Sequence, residues 1–70
     1  SNQEFYSQVL YYAKAKGFQE GWAKYKYREK FGVWPRGLDA SKLEQPSVET
    51  MNWIKYRMIA FAKGKLKEVA

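Results

Sequence analysis

The sequence predicts an all-α fold: a small three-helix bundle, with helices over about 2–16, 20–31 and 47–63 and a long connector between the second and third. Three observations carry this expectation. Apolar residues recur at helical spacing in three separate stretches. Single glycines stand where those stretches should stop, at Gly17, Gly32 and Gly64. No stretch reads as a strand, and 70 residues leave room for one core only.

In the first helix, Phe5, Tyr6, Val9, Leu10 and Ala13 share one face, with Tyr12 at its border. Gln8, Tyr11 and Lys14 point elsewhere, and Phe18 can fold back past the Gly17 stop onto Ala13 or Tyr12. The second helix opens with Glu20 at the positive end of its dipole. Ala23, Tyr27 and Phe31 form its apolar stripe, while Trp22 and Tyr25 lie off it. Such a helix is either sandwiched between its neighbours or presents those two rings to a partner. Gly32 ends it, Val33 can close over Tyr27, and Pro35 prevents a restart. Trp34 between them is a core plug or an exposed platform.

Residues 36–46 are rich in turn and polar types, with Leu38 and Leu43 placed to pin them to the core. Ser47 is a suitable N-cap for the third helix, followed by Glu49 in its first turn. The spacing of Met51, Ile54, Met58 and Phe61 predicts its core face, with Lys65, Leu66 and Lys67 trailing as a basic tail. Trp53 and Arg57, one turn apart, are placed to stack as a cation–π pair.

Composition excludes several classes of chemistry. There is no cysteine, so disulfides and thiolate-ligated metal sites are ruled out. There is no histidine, the usual general base and commonest metal ligand. The carboxylates are scattered and no glycine-rich phosphate loop is present, so a non-catalytic domain without cofactor or metal is expected. No apolar run approaches the length of a membrane span. The reading is a soluble, cytoplasmic monomer. The missing initial methionine suggests processing or a domain cut from a longer chain.

The formal charge of +6 is unevenly spread. Lys24, Lys26, Arg28, Lys30 and Arg36 crowd one segment and Lys55, Arg57 and Lys63 another, with acidic residues between. Aromatic rings interleave with both groups, as in Lys24-Tyr25-Lys26-Tyr27-Arg28. Cations neutralise phosphates while exposed rings can stack unpaired bases. The candidate nucleic-acid contacts are therefore Lys24, Tyr25, Lys26, Arg28, Lys30, Arg36, Lys55, Arg57 and Lys63, with Trp22, Trp34 and Trp53 as aromatic anchors. Excess lysine also keeps small domains soluble, and an aromatic core face interleaves with cations in any amphipathic helix. The connector is too long for a helix-turn-helix reader, which favours backbone or single-strand binding over duplex grooves.

The run Gly21-Trp22-Ala23, Lys26-Tyr27-Arg28-Glu29-Lys30-Phe31-Gly32, Trp34-Pro35 resembles the extreme C-terminal region of bacterial and phage superfamily II (DEAD/DEAH-type) DNA or RNA helicases. The resemblance extends to Phe5-Tyr6, Leu10, Ala13 and Gly17-Phe18. It also takes in Trp53-Ile54-Lys55, Arg57, Ile59-Ala60 and Ala62-Lys63. It implies an accessory domain that follows two motor domains and contacts nucleic acid or the motor. The ATP-binding motifs of such motors are missing from this chain. On this reading the domain comes from the C-terminus of a larger helicase, and the alternative role is docking on the motor domains or self-association.

Overall fold

Residues 1–69 are described by a computed structural model, with side chains described over 1–64. Three helices follow one another: α1 (Asn2–Lys16), α2 (Glu20–Phe31) and α3 (Val48–Val69), with no strand among the described residues. The all-α, three-helix expectation matches this architecture.

The helix ends follow from local chemistry. Ser1 caps α1 by accepting a hydrogen bond from the Glu4 amide at 3.3 Å. Gly17 ends it in the left-handed conformation (φ 76°), and the Phe18 amide reaches back to the Ala13 carbonyl at 2.7 Å. Phe18 thus arrives beside Tyr12, as expected, and against Trp22. Gly32 ends α2 the same way (φ 80°), its amide donating to the Arg28 carbonyl at 2.8 Å. Ser47 caps α3 through the Thr50 amide at 3.1 Å.

The core is built around α1. Phe5, Tyr6, Val9, Leu10 and Ala13 are buried against Ala23 and Tyr27 of α2 and Ile54 of α3. Tyr12, Trp22, Phe31, Leu38 and Trp53 pack on this cluster from outside. Phe5 joins all three helices, meeting Phe31 and Trp53 edge-on at centroid distances of 5.5 and 5.2 Å. α2 packs on α1 and does not approach α3 closely through its backbone, so it is not sandwiched between the other two helices. Side chains bridge that gap instead, among them Arg57, which donates to Glu29 at 3.0 Å.

Gln8 does not point away from the structure as the helical spacing predicts. It is buried together with Ser7. Its Nε2 donates to Glu44 at 2.7 Å, and its Oε1 accepts from the Ser47 amide at 3.1 Å. Gln3 makes a similar two-way clasp with the backbone of Asp39, at 2.8 and 3.0 Å. Residues 32–47 therefore cover the side of α1 that α2 leaves open, held by amide side chains as well as by Leu38. Leu43 remains exposed and is not a pin. Ser41 donates to Asp39 from its side chain and its backbone, which lowers the Asp39 carboxyl from its ordinary pKa.

α3 departs most from the sequence expectation. Of its expected core face only Ile54 is buried, while Met51, Met58 and Phe61 are exposed. For Met58 and Phe61, which lie beyond Ile54, length explains this; nothing in the structure explains Met51, one turn before it. α3 has 22 residues against 15 in α1. At 1.5 Å per residue it outruns its support by roughly 10 Å, giving a body 41 Å long and 22 Å wide. The helix also runs through Gly64 rather than fading there. A helical glycine costs only about 1 kcal/mol relative to alanine. Lys65, Leu66 and Lys67 are helical in backbone, and their side chains lie outside the described residues. Val33 is exposed and does not close over Tyr27. Among the described residues, no helix is long and apolar enough to cross a membrane.

Three stability outcomes follow. Ile54→Ala, at a fully buried site, should cost about 2–5 kcal/mol in denaturant unfolding. Gln8→Ala should cost about 1–3 kcal/mol, because the Ser47 amide loses its partner. Tyr6 supplies a pH dependence. Burial first, and the Glu20 charge second, raise its phenol above the ordinary value. Its contribution is complete below the unfolded phenol pKa of about 10 and is lost as pH rises through the folded value. Tyr6→Phe should therefore make alkaline unfolding measurably less steep.

Candidate nucleic-acid interface

The outward side of α2 carries Gly21, Lys24, Tyr25 and Arg28, spaced three, four and seven residues apart and so aligned on one face. All four are exposed. Gly32 then reverses the chain through a backbone conformation that few other residues tolerate. The segment that follows brings Trp34 back over the helix it has just left.

Trp34 lands on two of those residues. Its ring lies 5.0 Å from that of Tyr25 at an interplanar angle of 69°. The Arg28 guanidinium carbon sits 4.7 Å from its centroid. Both contacts come from α2, and 46% of Trp34 remains exposed. The sequence left Trp34 as plug or platform; here it is a platform braced from beneath. Arg28, Gly32, Val33, Trp34 and Arg36 line a shallow depression beside it of ≈ 450 Å³. Tyr25 is 60% exposed, consistent with its place off the apolar stripe.

Cations elsewhere on the candidate surface are differently engaged. Lys26 and Arg57 converge on one carboxylate, Glu29, at 3.2 and 3.0 Å. Lys26 also covers the Trp22 ring at 5.6 Å. Arg57 consequently does not stack on Trp53. Lys30 occupies that neighbourhood, 5.7 Å from the Trp53 ring and 5.3 Å from Phe5. No carboxylate among the described residues pairs with Lys24, Arg28 or Arg36, nor with Lys30, Lys55 or Lys63. Lys55 lies along a separate apolar groove on α3, and Lys63 lies on that helix beyond it.

The aromatic anchors also divide. Trp22 stacks on Tyr12 at 5.4 Å and is half-buried, as is Trp53 against Phe5. Trp34 alone of the three tryptophans is exposed. The structure thus brings together Tyr25, Arg28, Trp34 and Arg36, with Lys24 one turn from Arg28 on the same helix face, and sets the other candidates on different faces. Val33, exposed at the edge of the depression, was missing from the sequence-derived set. Its signal was the glycine stop that sends the chain back along the helix.

Chemically the cluster offers fixed positive charge and an aromatic face, with no carboxylate among the residues lining its depression. Among the described residues no group of acidic side chains is disposed to hold a metal ion. Searches against protein-family models, curated proteins and solved structures found no match for this chain.

Arg28→Ala removes the cation beneath Trp34 without touching the core. At an exposed site such a contact is worth about 0.5–1 kcal/mol, so the change in unfolding free energy should stay within about 1 kcal/mol. Trp34 should nevertheless gain mobility, read from fluorine relaxation in fluorotryptophan-labelled protein.

Proposed function

We propose that this domain is a non-catalytic nucleic-acid-binding module, acting in the cytoplasm, that grips a phosphate backbone along the outer face of α2. The observation that carries the reading is Arg28 and Arg36 beside a half-exposed tryptophan, with no carboxylate in the depression they share and Lys24 one turn from Arg28 on the same face. Paired cations such as Lys26 and Arg57 must surrender an ion pair before meeting a phosphate, whereas these three need not. The likeness of Gly21–Pro35 to helicase C-terminal regions supports a larger setting. There the module is appended to an ATP-dependent superfamily II motor and holds the strand on which the motor works.

The test is fluorescence anisotropy of labelled DNA and RNA at several salt concentrations. Binding should weaken with salt at roughly 0.7–0.9 in log–log slope per phosphate contact. Lys24→Glu with Arg28→Glu should lower affinity at least about tenfold and reduce that slope by between one and two. Lys55→Glu, on the other helix, should have little effect. Unchanged affinity in the Lys24/Arg28 double variant would sink the proposal.

A second reading rests on α3, where Tyr12, Met51, Met58 and Ile59 line an apolar groove that also includes Lys55. Here the domain docks on the helicase motor through that groove. Adding the motor domains to labelled protein should then shift the amide resonances of Met51, Lys55, Met58 and Ile59. Shifts confined to Lys24, Tyr25 and Arg28 would count against docking by this face.

A further inference from the structure

We propose that Trp34 is a stacking platform for a single unpaired base, so that the strand held by this face is single-stranded at that point. The inference rests on the nucleic-acid reading of the α2 face and adds to it the class of ligand. It follows from where the indole lies rather than from charge.

A duplex reader presents an exposed helix to base edges, which requires that helix to enter a groove. On the outward face of α2, Trp34 packs over Tyr25 and Arg28. The indole therefore covers part of the face that such a helix would present. A base within a duplex is stacked on both sides and offers no face to an external ring. An unpaired base offers one, and stacking suits any base because each has a π-face.

The indole is also prepared for that role. Half-exposed aromatic rings usually pay in mobility what they gain in access, and Trp34 avoids this through two contacts with a single rigid helix. The Gly32 reversal and Pro35 fix the chain on either side of it. Arg28 covers the ring at 4.7 Å, Tyr25 meets it at 69°, and 46% of the residue stays open to a ligand. Arg28 below and Arg36 beside it supply cations for the phosphates flanking a stacked base. Trp22 and Trp53, half-buried in ring clusters of the core, have no comparable face to offer.

The experiment compares an oligothymidylate, an abasic strand of equal length, a duplex and inorganic polyphosphate, each bound to the unaltered domain and to Trp34→Ala and Trp34→Phe. Far-ultraviolet circular dichroism confirms that each variant folds. Trp34→Ala should weaken the oligothymidylate roughly five- to a hundredfold and leave abasic strand and polyphosphate unchanged. Trp34→Phe, which keeps a ring, should retain most of the affinity. In fluorotryptophan-labelled protein, the Trp34 resonance should move with oligothymidylate and stay in place with polyphosphate. Equal affinity for normal and abasic strands, with no effect of Trp34→Ala, would overturn stacking while leaving the phosphate grip standing. Tighter binding of duplex than of single strand would likewise overturn it. Failure of every polyanion to bind the unaltered domain would remove both proposals together.

Discussion

Because α1 is enclosed on nearly every side, the remainder of the fold is arranged to cover it. Six consecutive residues, Phe5 to Leu10, are buried, and a helix buried over so many successive positions must meet neighbours on more than one face. α2 covers one side with Ala23 and Tyr27, and α3 contributes Ile54. The remaining side carries the backbone and polar groups of Ser7 and Gln8, which an apolar helix would leave without partners. Residues 32–47 answer that need with the Glu44 carboxylate and the Glu44 and Ser47 amides. No buried side-chain nitrogen or oxygen among the described residues is left unpaired.

The same arrangement decides which charges remain available to a ligand. α2 turns Ala23 and Tyr27 inward and holds Lys26 against Trp22, where the one Glu29 carboxylate pairs with both it and Arg57. What is left outward is the Lys24–Arg28 side, and the Gly32 reversal adds Trp34 and Arg36 to it. A charge count over the sequence treats these cations as equivalent. The fold separates them: Lys26 and Arg57 share Glu29, Lys30 lies over Phe5 and Trp53, and Arg28 and Arg36 flank Trp34.

Much of the architecture was legible because it rests on local chemistry. The bounds of α1 and α2, their glycine stops and the Ser47 cap each depend on a few adjacent residues. The fate of α3 was not, since periodicity reveals which side of a helix is apolar and not whether anything lies against it. Met51, Met58 and Phe61 have core spacing without core burial. Gln8 misled for a related reason: a polar residue beside an apolar stripe reads as solvent-facing until a distant Glu44 and Ser47 claim it. For the candidate site, the residue types were visible in sequence and their grouping was not. Trp34 over Arg28 depends on a chain reversal whose direction spacing alone does not give.

The clasps of Gln3 and Gln8 also bear on the order in which this chain acquires its structure. They join residues 36 and 39 positions apart, so a longer loop must close before they form than for the α1–α2 hairpin. The hairpin is then expected to assemble early, and the docking of 38–47 and α3 to complete the fold last and open first. The perch of Trp34 spans only residues 25–34 and belongs to the early part. A fluctuation that releases α3 would therefore leave that surface intact. Amide hydrogen exchange would register this as faster opening at Thr50 than at Tyr27, and equal rates would mean that the domain opens as one unit.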